Sequence, residues 1–527
     1  MTEATETRAA PAPLPLLDLD EFRDRVVLPY NRGAGDKELP ADLATATSIT
    51  PAGTGAFRDF SYIAPEIPVF DPDRCVGCML CVAECPDTAI LARVAEPDAL
   101  EQRLTTVPDG EQREHLRGQW VRTSKYWDAF DKKGEQGGLF GIFIDPTKCK
   151  GCGECVEVCG VHDALHMRQK APGTVERYRD DFQFFLRMPE TPERFVNERS
   201  LVDIMLVHRS LLYVGGAGSC MGCGEATAIR MLLAATGFVY GTEGVGIVAS
   251  TGCNTVYGST YPYNPYTVPW TNSLFENGPT DAMGIRARWD QAGWKDKRLW
   301  VIGGDGAMLD IGFGSLSRML ASGMDIKVLV LDTQVYSNTG GQASTASFMA
   351  QDSKLASFGQ LHHGKRENRK ELGLIAMMHP SVYVAQTVTS DPNHFYKAIM
   401  GANEFPGPAV VNVYATCQPE HGVGDNAAQQ QSRLAKDSRT FPAFLYDPRK
   451  GAGIAERLSL TGNPAMRDDW WTNPKTGEPL TFIDFARTEG RFAKHFDEGG
   501  NPSVELRRAE QERLQYWRML QELAGLR

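Results

Sequence analysis

From about residue 200 to 455 the chain alternates short, almost wholly apolar runs with glycine-bearing turns and helical stretches. The runs include RLWVIGGDG (298–306), DIKVLVLD (325–332), SVYVAQTV (381–388) and AVVNVYA (409–415). They are rich in β-branched residues and lack strict polar alternation, so both faces of each strand need cover. That pattern predicts an α/β domain on a parallel sheet, spanning 200–455. Residues 66–170 hold two cysteine clusters separated by a polar insertion and predict a smaller α+β unit, with 171–199 as a linker. Residues 1–65 are rich in Ala, Pro, Gly and Thr and predict an extended arm across another surface; a partly disordered leader is the alternative for the first 15. The tail, 456–527, ends in a predicted amphipathic helix with Leu506, Leu514, Trp517 and Leu520 on related turns. Packing or a subunit clasp is its expected role, with no chemistry.

Composition narrows the classes. Of 527 residues, 42% are hydrophobic and 23% charged, as in a protein that buries a core. Lys and Arg number 55 against 66 Asp and Glu, a net charge of −11 that repels nucleic acid. No apolar run approaches the roughly 20 residues of a membrane span. The opening MTEATETRAAPAPLPLLDLDEF has neither a basic stretch nor an apolar core, so the cytoplasm is the expected location. Twelve cysteines in a reducing compartment are not expected to form disulfides.

Their spacing points to metal. Cys75-Val-Gly-Cys78-Met-Leu-Cys81-Val-Ala-Glu-Cys85-Pro86 repeats as Cys149-Lys-Gly-Cys152-Gly-Glu-Cys155-Val-Glu-Val-Cys159. This is the C-x2-C-x2-C-x3-C run of two-cluster bacterial ferredoxins, in which the fourth cysteine reaches the other cluster. Cys75, Cys78, Cys81 and Cys159 are therefore expected on one [4Fe–4S] centre, and Cys149, Cys152, Cys155 and Cys85 on the other. The competing reading is structural zinc, but zinc takes four ligands as two separated pairs, not four in one run. Gly160 stands where the first run has Pro86, which touches geometry and potential but not ligation.

The strand from 298 runs into Gly303-Gly304-Asp305-Gly306-Ala307, then an expected helix from Asp310 to Ala321. Glycines at a strand-to-helix turn admit phosphate oxygens to the backbone, and Asp305 offers a hard oxygen for Mg²⁺. After the next strand comes Asp332-Thr-Gln-Val-Tyr-Ser-Asn-Thr-Gly-Gly-Gln342. A GDG followed by a polar ligand at the next strand end resembles the thiamine diphosphate signature. That likeness puts Gly304 and Gly306 at the diphosphate, and Thr333 with the Val335 carbonyl beside Asp305 on Mg²⁺. A dinucleotide site fits less well, because no G-x-G-x-x-G follows a strand.

Four cysteines remain: Cys220 and Cys223 in one C-x-x-C, then Cys253 and the distant Cys417. Four is the number a third [4Fe–4S] centre needs, and each stands beside small residues at an expected strand end. The competing reading is four unrelated core cysteines, since buried Cys is common.

In order, these motifs resemble the C-terminal part of the pyruvate:ferredoxin (flavodoxin) oxidoreductase family over roughly residues 20–455. The likeness rests on Ile67–Cys75, Cys220-Met-Gly-Cys-Gly-Glu225, Gly303–Gly306, Asp310-Ile-Gly-Phe-Gly314 and Asp332–Gln342. Met221 and Asn254 depart from the small residues more usual beside the third cluster. The resemblance implies a thiamine diphosphate/Mg²⁺ domain preceded by a ferredoxin-like domain. It places Cys220, Cys223, Cys253 and Cys417 on the cluster nearest thiamine, with Asn338 facing the substrate or the thiazolium. It implies oxidation of pyruvate with coenzyme A through a thiamine radical, three clusters in series, and a ferredoxin or flavodoxin acceptor. The same chemistry on 2-oxoglutarate, indolepyruvate, phenylglyoxylate or oxalate is the alternative; an electron-transfer adaptor without its own chemistry is another. No stretch looks like the family's pyrimidine-binding domain, so a separate subunit is expected to carry it, in a heterotetramer or larger assembly. Glu225 is an acidic candidate, expected to be structural.

Overall fold

The computed structural model describes residues 18–41, 49–355 and 364–527. Five strands make up the smaller unit: β1 (Glu66–Phe70), β2 (Ile90–Ala95), β3 (Trp120–Val121), β4 (Leu139–Ile144) and β5 (Leu165–Gln169). β1 pairs antiparallel with β5, and β2, β4 and β3 form a second antiparallel sheet. The cysteine runs follow β1 and β4, so the repeat in sequence is a repeat in space.

The larger unit is an eight-stranded sheet of β6 (Val245–Ser250), β7 (Trp270–Ser273), β8 (Arg298–Gly304), β9 (Lys327–Asp332), β10 (Tyr383–Val388), β11 (Ala409–Tyr414), β12 (Phe444–Tyr446) and β13 (Leu458–Ser459). The spatial order is 13-12-10-11-9-8-6-7; the six strands from β10 to β7 are parallel, while β12 and β13 run antiparallel at one edge. One register row crosses five strands as Val248, Val301, Val328, Val410 and Val384, all buried on one face. The next row, Ile302, Leu329, Val411 and Ala385, packs on the other face. Alternate residues thus serve two cores, which is why the strands read as continuous apolar runs.

Two expectations about the flanks need correction. Part of the expected arm is helical, over Leu19–Asn31 and Gly35–Glu38. Phe22 and Val26, a helical turn apart, bury with Val27 against Tyr263. Residues 1–17 and 42–48 of that arm lie outside the described residues. The expected linker, 171–199, contains a helix, Thr174–Leu186, whose Phe182 and Phe185 pack on Leu91, Trp120 and Phe143 of the cysteine-bearing unit. Burial of these aromatic side chains makes the segment part of that unit instead of a linker.

The tail helix runs Val504–Leu523 and buries Leu506, Trp517 and Leu520; Leu514 is only half-buried. Trp517 is fully enclosed, and its indole N–H donates to the Asp468 carbonyl at 2.8 Å. Trp517→Ala should therefore lower unfolding stability by about 3–5 kcal/mol. Chemical denaturation of the purified chain measures this, and a loss below about 1 kcal/mol would contradict that packing.

Buried polar contacts join the two units. Glu154 accepts from the backbone N–H groups of Ala428 (3.1 Å) and Gln429 (2.8 Å), at the start of helix Ala428–Asp437. Lys150 Nζ pairs with Asp87 at 2.7 Å and donates to the Ser219 carbonyl at 2.8 Å. Arg230, on helix Gly224–Tyr240, donates to Thr88 Oγ1 (3.1 Å) and to the Ala83 carbonyl (3.2 Å). Among the described residues no helix is long and apolar enough to cross a membrane.

Candidate active site

The two cysteine runs fold alike. Gly77 and Gly151 both take φ +73, and the residues before each short helix, Met79 and Gly153, take φ +68 and +81. A side chain at Gly151 would strike Ala64 Cβ at 2.5 Å, so only glycine fits. Cys75, Cys78, Cys81 and Cys159 line one small cavity. Burial pushes the Cys155 thiol well up, and Cys152, Cys149 and Cys85 crowd beside it. The fourth cysteine of each run therefore lies with the first three of the other. Each also accepts a backbone N–H: Ala89 to Cys85 Sγ at 3.3 Å and Ala164 to Cys159 Sγ at 3.2 Å. Gly160 adopts φ +51, which proline's ring forbids, so the departure from Pro86 follows from the backbone.

At the carboxyl edge of the large sheet, the loops after β6, β8, β9 and β11 converge, as expected for an open α/β sheet. They bring Cys253, Asp305, Thr333 and Cys417 to one end. One cavity is lined by Cys220, Cys223, Cys253 and Cys417, all four cysteines left over from the runs. Burial raises the Cys417 thiol to about 12. The buried thiols pushed up in this way, Cys155 and Cys417 among them, stay in their neutral form at ordinary pH unless a cation takes the proton's place. Among the described residues no three His, Cys, Asp or Glu stand close enough to hold a single metal ion. Four cysteines lining one cavity, as in this one and in the one at Cys75, Cys78, Cys81 and Cys159, are the donor set of a cubane.

A second cavity adjoins, lined by Gly304, Gly306, Val335, Phe275, Ile311 and Asn338 among others. Glu225, Cys253, Ser337 and Asn338 line both cavities. Asp305 is fully buried directly after β8. It accepts from the backbone N–H and hydroxyl of Thr333, each at 3.1 Å, and from Ser344 Oγ. The Thr333 hydroxyl also lies 3.1 Å from the Val335 carbonyl, so these three oxygens share one point. Burial, then the Asp332 carboxylate, lifts Asp305 to about 7. Carboxylate, hydroxyl and carbonyl oxygens gathered in this way are donors of the right hardness for a divalent cation.

The expected α-helix from Asp310 begins differently. Gly306–Ile311 forms a wide turn, and the α-helix starts at Phe313. The Tyr336 ring presses on Gly306, where a Cβ would meet it at 2.1 Å, and the Tyr336 hydroxyl donates to Asp310 at 2.7 Å. Such single wide turns recur at ligand sites. Asn338 is exposed at the mouth, and Asn254 is buried, its side-chain nitrogen donating to the Ser250 carbonyl at 3.2 Å.

Glu225 carries more than its sequence setting suggests. It is buried between the two cavities, Oε2 has no hydrogen-bond partner, and the nearby Tyr257 hydroxyl also lacks one. Burial, then Asp305, pushes its carboxyl up to about 8. Orphaned groups of this kind fit a polar ligand seated in the cavity.

Residues 250–413 match the family described as thiamine pyrophosphate enzyme, C-terminal TPP binding domain. Residues 68–91 and 142–162 match the 4Fe-4S binding domain. Over 515 residues the chain is 30% identical to the probable pyruvate-flavodoxin oxidoreductase of Escherichia coli, covering 84% of this chain and 41% of that one. Most of the chain is thus similar to part of the pyruvate:ferredoxin (flavodoxin) oxidoreductases. A second relative, the pyruvate:ferredoxin oxidoreductase of Moorella thermoacetica, is also 30% identical, over 81% of this chain and 40% of its own. A third is the mitochondrial pyruvate dehydrogenase [NADP(+)] of Euglena gracilis, 30% identical over 81% of this chain and 26% of its own. The chain thus spans about two fifths of its bacterial relatives' length. Both cysteine runs and the GDG loop fall inside the matched domains, whereas Cys220, Cys223 and Cys417 lie outside them.

Proposed function

We propose that the chain is the thiamine- and cluster-bearing subunit of a coenzyme A-dependent 2-oxoacid:ferredoxin oxidoreductase, with pyruvate as substrate. The products are acetyl-CoA, CO₂ and a reduced ferredoxin or flavodoxin. The observation that carries this reading is the wall of Glu225, Cys253, Ser337 and Asn338 common to both cavities. A decarboxylase without redox chemistry has no use for cysteines there, and an electron carrier has no use for the oxygen cage at Asp305.

Thiamine diphosphate, when bound, supplies the carbanion sink for decarboxylation, and the clusters supply one-electron acceptors. In this reading Asp305, the Thr333 hydroxyl and the Val335 carbonyl hold Mg²⁺, and Gly304 and Gly306 admit the diphosphate. Cys220, Cys223, Cys253 and Cys417 hold a third [4Fe–4S] centre within one side chain's reach of that pocket. Phe275 and Ile311 make its apolar flank and keep water out, while Asn338 stands where a substrate enters. Cys149, Cys152, Cys155 and Cys85 would hold the next centre outward and Cys75, Cys78, Cys81 and Cys159 the last, each supplying a one-electron carrier.

Val256 and Ile311, which line the two cavities, stand 50% and 52% exposed. An apolar rim there suits the pyrimidine-binding domain, carried in this reading by a separate subunit. The test is anaerobic purification of the tagged chain with its companions, then viologen reduction with a panel of 2-oxoacids, with and without coenzyme A. Pyruvate- and coenzyme A-dependent reduction is the expected result. Another oxoacid changes the substrate; no reduction by an iron-loaded, thiamine-bearing complex overturns the reading in favour of an adaptor.

A further inference from the structure

The loop after β9 must turn the Thr333 hydroxyl and the Val335 carbonyl toward one point. The residue between them, Gln334, sits at φ +58, a left-handed conformation that a side chain disfavours. Its surroundings must therefore hold it. Gln334 is fully buried, and its carbonyl accepts from Gln351 Nε2 at 2.9 Å and from Ser347 Oγ. Its amide nitrogen donates to Asp332, at 3.1 Å to Oδ1. The remaining atom, Oε1, accepts from the Arg491 guanidinium at 3.0 Å.

Arg491 belongs to the C-terminal tail, well beyond the matched thiamine domain. Its Nε donates to Glu489 at 2.6 Å and a second nitrogen to Gln351 Oε1 at 3.3 Å. Glu489 in turn accepts from the hydroxyl of Tyr414, the last residue of β11, at 2.8 Å. It also faces His421 at 3.6 Å, whose Nε2 donates to the Thr333 carbonyl at 2.8 Å. A carbonyl only accepts, so the proton of this imidazole sits on Nε2; burial and the Arg491 charge keep the ring neutral. Gln334 is thus tied to one buried tail pair twice, directly through its side chain and, through Gln351, by its backbone carbonyl.

We propose that Glu489 and Arg491 form a clamp that positions the cation loop, making Arg491 a positioning residue for thiamine diphosphate and Mg²⁺. This rests on the reading of Asp305, Thr333 and Val335 as Mg²⁺ ligands. The clamp acts without touching either ligand. It removes the freedom of Gln334 to relax out of the left-handed region, which would swing Thr333 and Val335 apart.

The test uses the complete purified enzyme, stripped of thiamine diphosphate and Mg²⁺ by chelation and desalting, then titrated with each. Arg491→Met keeps an unbranched stem and removes the guanidinium donors. Apparent affinity for both ligands should fall about 10- to 100-fold, with iron content unchanged. Gln334→Met removes the same contact from the other side, with a similar loss. The double variant should be no worse than either single one, and Arg491→Lys should recover part of the loss. Wild-type affinity in Arg491→Met overturns the clamp, as do single losses that multiply in the double variant. Should Arg491→Met fail to fold, Gln334→Met decides, and wild-type affinity there overturns it. A wild-type enzyme that takes up no thiamine diphosphate at any Mg²⁺ concentration instead sinks the reading of the site itself.

Discussion

Asp305→Ala should abolish thiamine diphosphate binding and 2-oxoacid-dependent viologen reduction, while iron stays at about twelve atoms per chain. The carboxylate sits at the centre of its cage: Thr333 donates to it twice and Ser344 once, and Asp332 lies close by. Asp332 cannot take its place, because it is already committed to Arg369 and to Asn412, at 3.1 Å to the latter. Of the proposed Mg²⁺ ligands Asp305, Thr333 and Val335, only Asp305 is anionic, so its loss would remove the charge that holds the cation. The cysteine sets are on other loops and do not depend on this carboxylate. Thiamine still bound to an active Asp305→Ala enzyme would refute the metal assignment.

The second large effect concerns Cys417. Cys417→Ala should lower iron from about twelve to about eight atoms per chain, since a cubane short of one thiolate is not retained. Thiamine diphosphate should still bind, because Asp305, Thr333 and Val335 are untouched. Viologen reduction should collapse, as the first acceptor beside the thiamine pocket is gone. If Cys220, Cys223, Cys253 and Cys417 were ordinary core residues, the same change would leave iron unaltered and cost only about 1 kcal/mol of stability. Iron analysis and low-temperature EPR on the same preparation separate the two.

Much of this was legible in the chain because its signals are local. The runs at 298–306 and 409–415 read as covered parallel strands, since every residue of β8 and β11 faces a core or a neighbour. The cysteine runs show themselves by spacing, and the GDG by its place between strand and helix. What escaped depends on distant partners. Glu489 and Arg491 look like solvated surface in the sequence, and only their contacts with Tyr414 and Gln334 make them interior. Glu225 reads as an ordinary acid in the first turn of a helix; its position between two cavities is set by strands that follow it in the chain. The wide turn at Gly306–Ile311 is likewise imposed by Tyr336, thirty residues downstream, against a local preference for α-helix.

The joint between the two units has a consequence for electron flow. Glu154 capping the helix that starts at Ala428, Lys150 bridging Asp87 to Ser219, and Arg230 reaching the backbone beside Cys85 are all buried contacts. Separating the units would break these hydrogen bonds together and expose the apolar core that both units share, so the joint resists opening. In the proposed relay the gap between the thiamine-side centre and the next one is therefore set once, by the fold. The relay is a fixed conductor and not a ferry: whatever limits its speed lies in the energies of its stations or at its two ends, never in the motion of a carrier between them.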